Sequence, residues 1–280
     1  AKGSKEAAFV HVYYRGNPSS ENSIAIVAKG VIYDTGGFHL KPADGMKDMT
    51  GDKAGAGVAV GLMEALATMR VPMNVHFYFG LTENLPSREA TLPETPIYMG
   101  NDAKGKPFEP GFIGNTDAEG RLVMSTGVAL AGKDPNVKAI MTIATLTGAM
   151  LVAGGKKFCG VVGNSYDDRA KPIIQAIQDA GELSYERFMH FPTDDDFAES
   201  LRKDTPFGAV ANIGPDRWGG VYYGHYYLAA YTSDKPLVHC DIAPMLLHDP
   251  DRTYLNGGRF GAPPVMALGR ALETIARTMR

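Results

Sequence analysis

Two acidic residues and an arginine alternate in the segment NTDAEGRL. Asp117, Glu119 and Arg121 are separated by single small residues. If this segment is extended, alternate side chains project to the same side, so both carboxylates and the guanidinium share a small volume. Carboxylates held together in a protein interior are unfavourable unless a cation lies between them. The spacing therefore indicates a candidate cation site.

Further candidate ligands lie in the segment that begins with AKGVIYDTGGFHLKP. It supplies Lys29, Asp34, Lys41 and Asp52, and Asp34 precedes a Thr-Gly-Gly turn that could present a ligand oxygen at a strand end. The four carboxylates of the two segments could neutralise two divalent cations, and oxygen ligands suit Mg, Mn or Zn. The same acids could instead pair with the neighbouring Lys and Arg residues as an ordinary ion-pair network.

Several other types of catalytic centre are excluded because their sequence motifs are absent. The chain contains no GxSxG, GxxxxGK[ST], HExxH or CxxC pattern. The glycine-rich run GDKAGAGVAVG lacks the last glycine of a dinucleotide fingerprint, because that position is Val60. Its small residues predict instead a helix that approaches the sheet closely. A catalytic centre here is therefore expected to be carboxylate-based.

Alternating strands and helices must position these residues. Apolar, β-branched and aromatic runs predict strands at 9–14, 24–30, 73–81, 139–146, 161–164 and 237–244. Helices are predicted at 54–70, 171–181 and 264–279. In the first helix, Val58, Leu62, Leu66 and Met69 recur at helical spacing.

This alternation predicts an α/β fold, a single three-layer αβα domain over residues 1–280 with a mostly parallel central sheet. Such sheets bind ligands at the carboxyl ends of their strands. Lys29 is expected to end the second strand, which places it at that edge.

Composition limits the function classes. The net charge of −3 and 44% hydrophobic content give no electrostatic argument for nucleic acid or membrane surfaces, and no run of apolar residues is long enough to predict a membrane span. Cys159 and Cys240 stand alone in apolar runs and are expected to be buried free thiols, which favours a reducing compartment. The chain has no initiator Met, which is compatible with a processing boundary.

Five segments, in this order, closely resemble the signature segments of the leucine aminopeptidase (leucyl or cytosol aminopeptidase) family. They are AKGVIYDTGGFHLKP, MTGDKAGA, TENLPSREA, NTDAEGRL and ATLTGAM. The similarity runs from about residue 9 to the terminal helix, the family's catalytic domain, without its smaller N-terminal domain. The resemblance implies a cytoplasmic, homohexameric, dimetal-dependent aminopeptidase that acts on peptides with a free N-terminus and prefers Leu-like residues.

The resemblance also assigns roles. The implied ligands of two divalent ions, Zn or Mn and alternatively Mg or Co, are Lys29, Asp34, Asp52, Asp117 and Glu119, with Asp34 and Glu119 bridging. The implied catalytic residues are Lys41, which stabilises the oxyanion, and Arg121, which holds a bicarbonate that acts as general base. The implied contacts are Ala118, Gly120 and Leu146 for bicarbonate, and Met49, Thr145 and Gly148 for the substrate side chain.

Two other function classes stay open at this point. A non-catalytic or DNA-binding scaffold of the same fold is one, and a dimetal hydrolase of another bond, such as a phosphoester, is the other. Three acids, Asp194–Asp196, are expected at a solvated helix start, and His225 and His239 are expected to be packed structural residues. The tyrosines of GGVYYGHYYLAAYT are expected to pack a helix, either within the chain or across a subunit interface.

Overall fold

The computed structural model describes residues 6–164, 166–216, 218–247 and 264–278. The strands of this part of the chain are β1 (Ala8–Arg15), β2 (Ser23–Asp34), β3 (Asn74–Asn84), β4 (Pro96–Ile97), β5 (Gly111–Phe112), β6 (Val137–Ala144), β7 (Cys159–Gly163), β8 (Phe188–Pro192), β9 (Val210–Ala211) and β10 (Leu237–Asp241). The helices are α1 (Ala43–Met46), α2 (Ala54–Met69), α3 (Glu119–Lys133), α4 (Gly148–Gly154), α5 (Lys171–Ser184), α6 (Asp196–Ser200), α7 (Gly220–Ala229) and α8 (Val265–Thr278).

Seven strands form the main sheet in the order β1-β3-β2-β6-β10-β7-β8. The four strands β3, β2, β6 and β10 are parallel neighbours, whereas β1 and β7 pair antiparallel with β3 and β10. A second, small sheet has the order β4-β5-β9. The predicted α/β fold with a mostly parallel sheet is therefore confirmed.

The central strand β2 is buried on both faces. Ile24 and Ile26 belong to the core under α2, α5 and α8, whereas Ala25 and Val27 belong to the core under α3 and α7. This arrangement explains why the strand is continuously apolar rather than alternating. The sheet thus lies between two helical layers, as expected for a three-layer αβα domain.

Most predicted elements are present, with different bounds. The strand expected at 24–30 continues to Asp34, so Lys29 lies within β2 and not at its end. Parallel pairing with β3 continues to Asn84, which extends the strand past the apolar run. Helix α2 buries three of its four predicted core residues, but Met69 is exposed because it lies in the last turn, next to the left-handed Arg70.

The expectation that Asp117, Glu119 and Arg121 lie on one extended segment is wrong. Helix α3 begins at Glu119, so Glu119 and Arg121 lie in its first turn and Asp117 lies in the turn before it. Strand β8 and the small sheet were not predicted from the sequence. The last predicted helix is present as α8, and its expected final residue, 279, lies outside the described part of the chain. Among the described helices, none is both long and apolar enough to span a membrane.

Candidate functional site

Three neighbouring parallel strands bring the candidate residues together at their carboxyl ends. Asp34 is the last residue of β2, Asn84 is the last residue of β3, and Thr145 directly follows β6. Asp52 precedes α2, and the first turn of α3 supplies Glu119. Residues far apart in the sequence therefore meet at one edge of the sheet, where open α/β sheets bind ligands.

Lys29 is the buried centre of one half of this site. Its Nζ lies 2.7 Å from Asp52 Oδ2 and 2.7 Å from Glu119 Oε1, and it donates a hydrogen bond of 3.1 Å to the carbonyl oxygen of Thr145. Burial opposes the charge of Lys29, but the neighbouring carboxylates outweigh this effect and raise its pKa. Thr145 also donates through Oγ1 to Asp52 Oδ1 at 2.6 Å, which fixes that carboxylate.

Lys41 organises the other half. Its Nζ lies 2.8 Å from Asp34 Oδ2 and also contacts Asp117 Oδ1. Asn84 Nδ2 donates to Asp34 Oδ1 at 2.7 Å, and the backbone N–H of Gly36 donates to the same oxygen at 2.9 Å. Asp34 is thus held by three donors, which orients its carboxylate before any ligand binds.

The acidic cluster has the donors that a metal ion needs. Ligand oxygens of Asp34, Asp117 and Glu119 all lie within 4.8 Å of one another, so this group could hold a metal ion. The buried oxygens Asp52 Oδ2 and Glu119 Oε1 each lie 2.7 Å from the Lys29 ammonium. Carboxylate oxygens of this kind are hard donors, which suit divalent cations.

The charges of the cluster do not cancel. Among the described residues, its four carboxylates form ion pairs with two ammonium groups, those of Lys29 and Lys41, and the nearby Arg121 guanidinium adds one further positive charge. Burial raises the pKa of Asp52 to about 7 and that of Asp117 to about 6, which shows how unfavourable further negative charge is at this edge. An excess of buried carboxylate favours a cation site over an ordinary ion-pair network.

Arg121 is buried beside this cluster, and burial lowers its pKa to about 10. The adjacent Gly120 lies against two other candidate residues: a Cβ there would come within 2.7 Å of Lys29 Cδ and 2.9 Å of Leu146 Cδ1. Ala118, the remaining residue assigned to the bicarbonate site, accepts a hydrogen bond of 3.1 Å from Asn212 Nδ2 through its carbonyl oxygen. The first turn of α3 therefore brings Arg121, Gly120 and Leu146 into one neighbourhood.

A cavity of about 170 Å³ opens among these groups. The candidate residues that line it are Lys29, Asp34, Lys41, Met49, Asp52, Asp117, Thr145, Leu146 and Gly148. Its wall also includes apolar side chains, Leu151, Ala243 and Leu246. Glu119 borders a second cavity of about 360 Å³, next to Asn84 and Thr116.

Two supporting residues, Asn84 and Asp241, were not assigned a role from the sequence. The fully buried Asp241 accepts at Oδ1 from the backbone N–H of Leu146, 3.1 Å away, and at Oδ2 from Thr147 Oγ1, 2.6 Å away. Asn84 and Asp241 each end a parallel strand, β3 and β10. A polar residue at the end of a buried strand is the signal that could have found them.

The other sequence expectations concern residues outside the cluster. His225 and His239 are buried, and burial lowers their pKa values to about 4 and 3, as expected for neutral packed histidines. Asp194–Asp196 lie exposed at the start of α6, which confirms that prediction. Most tyrosines of α7 are buried against the chain's own core, so they pack a helix within the chain.

Comparisons with known proteins show what this chain is similar to. The family model described as the cytosol aminopeptidase family, catalytic domain, matches residues 1–268. A probable cytosol aminopeptidase from Nitrosomonas europaea is 39% identical over 245 residues, 87% of this chain and 46% of the relative. One from Dechloromonas aromatica is 38% identical over 231 residues, 82% of this chain and 43% of the relative. The chain thus spans about half the length of these curated relatives.

Among solved structures, the bottromycin maturation enzyme BotP is similar, with a TM-score of 0.81 and 24% identity over 98% of this chain and 56% of that chain. A second structure of BotP, in complex with Mn, gives the same TM-score of 0.81 and covers 57% of that chain. At this identity the likeness shows a shared fold.

Proposed function

Since the chain belongs to the cytosol aminopeptidase family, we propose that it is a dimetal-dependent aminopeptidase that removes residues from the free N-terminus of peptides. The observation that carries this proposal is the convergence of four carboxylates and two lysines at the carboxyl edge of the sheet, where both lysines and three of the carboxylates line one cavity. Ion pairing alone leaves negative charge uncompensated there, and divalent cations supply the missing charge.

We propose that two divalent ions, Zn or Mn, bind at this edge. The residues that would hold them are Lys29, Asp34, Asp52, Asp117 and Glu119. When bound, such ions would lower the pKa of a water toward neutrality, polarise the scissile carbonyl and take the free α-amine of the peptide. Lys29 can act as a ligand only as a neutral amine, so metal binding must displace its proton against the field of its carboxylates.

Lys41 would remain cationic and donate a hydrogen bond to the oxyanion of the tetrahedral intermediate. Its ammonium is held between Asp34 and Asp117 and lines the cavity, so it needs little reorganisation when that charge develops. Preorganised donors of this kind often contribute on the order of 3–4 kcal/mol to transition-state stabilisation.

Arg121 would hold a bicarbonate ion beside Ala118, Gly120 and Leu146, and the bound bicarbonate would supply the general base. The buried guanidinium and the close approach of Gly120 to Leu146 support this role. A charged donor in a low-dielectric environment binds an oxyanion more strongly than one in water does.

The substrate side chain would rest against Met49, Thr145 and Gly148. The cavity is small, and the apolar Leu151 and Leu246 extend this wall. A flexible thioether among apolar groups suits a Leu-like side chain. These contacts support the preference for Leu-like N-terminal residues.

We also propose that the protein acts in the cytoplasm as a homohexamer. The names of the curated relatives support the compartment. The hexamer rests on the family resemblance alone.

A direct test compares three substrates on protein that has been stripped with chelator and reloaded with Mn or Zn. Leu-Gly-Gly should lose its N-terminal Leu, whereas N-acetyl-Leu-Gly-Gly and bis(p-nitrophenyl) phosphate should stay intact. Cleavage of the phosphodiester alone would favour a dimetal hydrolase of another bond. Failure to cleave any of the three, with metal bound, would favour a non-catalytic or DNA-binding scaffold.

A further inference from the structure

A group of buried polar atoms without hydrogen-bond partners lies behind Arg121. Among the described residues, eight buried side-chain atoms have no hydrogen-bond partner of good geometry, and Arg121 Nε, His225 Nδ1 and His239 Nε2 are three of them. Buried polar atoms are almost always paired in folded proteins. Several unpaired atoms in one region point to a binding site for small polar molecules.

Helix α7 packs against Arg121 and carries both His225 and Tyr227. A Cβ on Gly224 would lie 3.9 Å from Arg121 Nη2 and 2.5 Å from Leu146 Cδ2, so the helix backbone rests directly on the proposed anion site. His225 is the next residue, and Tyr227 follows it on the same helix. The Tyr227 ring is fully buried and close enough to Arg121 for their charges to interact.

His239 approaches the same region from the sheet. It pairs across β10 and β6 with Thr142, and its Nδ1 lies 2.8 Å from Thr142 Oγ1. Its Nε2 is therefore the ring nitrogen that is free to meet another group, and both His225 and Arg121 lie within electrostatic range of it.

These groups provide the hydrogen-bond donors and acceptors that a bound water molecule needs. Burial keeps both histidines neutral at physiological pH, so each ring carries one N–H donor and one acceptor nitrogen. Arg121 Nε–H only donates, and the Tyr227 hydroxyl both donates and accepts. A water molecule needs two to four polar partners, and this set supplies them without adding charge behind the guanidinium.

We propose that His225, His239 and Tyr227 are positioning residues that hold Arg121 in place through bound water. With its Nε side fixed from behind, the guanidinium presents its other nitrogens to the anion on the side of Leu146 and Gly120. This inference rests on the proposed role of Arg121 in binding bicarbonate. In this arrangement the three neutral residues tune the affinity of Arg121 for the anion and do not bind metal.

The test measures bicarbonate binding directly, by calorimetric titration of the metal-loaded full chain in bicarbonate-depleted buffer. His225→Leu should raise the bicarbonate Kd roughly 10-fold, as expected for the loss of one hydrogen bond that supports a charged group. His225→Asn keeps a polar atom near the position of Nδ1 and should stay within about 3-fold of the parent protein. Metal content and the KM for leucine-p-nitroanilide should not change.

Hydroxyl deletions provide a matched pair that conserves shape. The hydroxyls of Tyr227 and Tyr231 lie together near Gly111 and interact with each other, but of the two only Tyr227 lies in the field of Arg121. Tyr227→Phe should weaken bicarbonate binding several-fold, and Tyr231→Phe should leave it unchanged. This pair keeps the inference testable if His225→Leu does not fold.

Each other outcome overturns a definite part of the account. Parent-like bicarbonate binding by both His225→Leu and Tyr227→Phe would overturn the positioning role and leave the aminopeptidase proposal intact. Equal loss in His225→Leu and His225→Asn, or in both Tyr variants, would show a general packing effect and also overturn it. A parent protein that cleaves peptides but binds no bicarbonate would overturn the role of Arg121 together with this inference.

Discussion

Lys29 and Lys41 each contact two carboxylates, but their environments fit them for different tasks. Lys29 is buried among Asp52, Glu119 and the Thr145 carbonyl, whereas Lys41 lines the cavity and is partly exposed. A buried lysine surrounded by carboxylates is suited to a ligand position, and a more accessible one to contact with substrate. The residue-scale predictions separate these roles.

Glu119→Gln should abolish turnover because it removes one negative charge from the acidic cluster and a partner of Lys29. We expect activity to fall by at least about 100-fold and metal content to decrease. Glu64→Gln makes the same chemical change on the exposed face of α2 and should be silent. Full activity and metal content in Glu119→Gln would remove Glu119 from the proposed site.

Lys41→Ala should lower kcat by about 100- to 1000-fold through loss of oxyanion stabilisation, while metal stays bound. The exposed Lys47, in the same loop region, provides the control variant Lys47→Ala. Steady-state kinetics and metal analysis decide the role. An increase in KM alone would show that Lys41 binds substrate and does not stabilise the transition state.

The raised pKa values of Asp52, about 7, and Asp117, about 6, predict how pH affects the metal-free protein. A carboxyl whose folded-state pKa is raised stabilises the fold below its unfolded pKa of about 3.9 and loses that contribution as pH rises through the folded value. These two carboxyls should therefore remove stability between about pH 4 and pH 7 without metal, whereas the lowered pKa values of the buried His225 and His239 act in the opposite direction over the same range.

Added metal should restore the most stability at pH values at which these carboxyls are ionised. Thermal unfolding with and without Mn should show a larger increase in Tm at about pH 8 than at about pH 5.5. Equal increases at both pH values would contradict ligation by Asp52 and Asp117.

At the scale of elements, helix α2 depends on a close approach to the sheet. A Cβ on Gly55 would lie 2.4 Å from the Ile143 carbonyl oxygen and 2.8 Å from that of Lys29, whereas one on Gly57 would meet nothing within 4 Å. Gly55→Ala should therefore lower the free energy of unfolding by about 1–3 kcal/mol.

Gly57→Ala in the same helix is the control and should be neutral or stabilise the protein by up to about 1 kcal/mol. Denaturant unfolding of both variants measures the difference. A Gly55→Ala protein as stable as the parent would show that the helix can move away from β2 at no cost.

Periodicity predicted the long elements because burial determines them. The apolar run of β2 and the repeating Val58, Leu62 and Leu66 of α2 indicate which faces of these elements are buried in the core. The extended conformation predicted around Asp117 is wrong, since charges at alternate positions also fit a turn followed by the first turn of a helix. Short edge elements such as β8 carry too few core contacts to leave a pattern.

Only part of the candidate site could be predicted from the sequence. Lys29, Asp34 and Asp52 could be proposed from their residue types and from a family resemblance, and the sheet brings them together. The support by Asn84 and Asp241 depends on which strands are neighbours in the sheet. Strand order is a property of the fold, and local sequence does not encode it.

At the scale of the whole molecule, the two thiols report on global unfolding. Cys159 and Cys240 are buried in the same core on neighbouring strands, and burial raises the pKa of the Cys240 thiol. A thiol reagent should label neither cysteine in the native protein, and labelling should follow the loss of circular dichroism in denaturant. Rapid labelling of either thiol without denaturant would show that this core opens locally.

The central claim is that a metal site selects peptides by their free α-amine. The most direct measurement compares hydrolysis of leucine-p-nitroanilide and its N-acetylated form, after dialysis against chelator and re-addition of Mn or Zn. We predict metal-dependent cleavage of the free-amine substrate only. Equal cleavage of both substrates, or cleavage that persists without metal, would contradict the account.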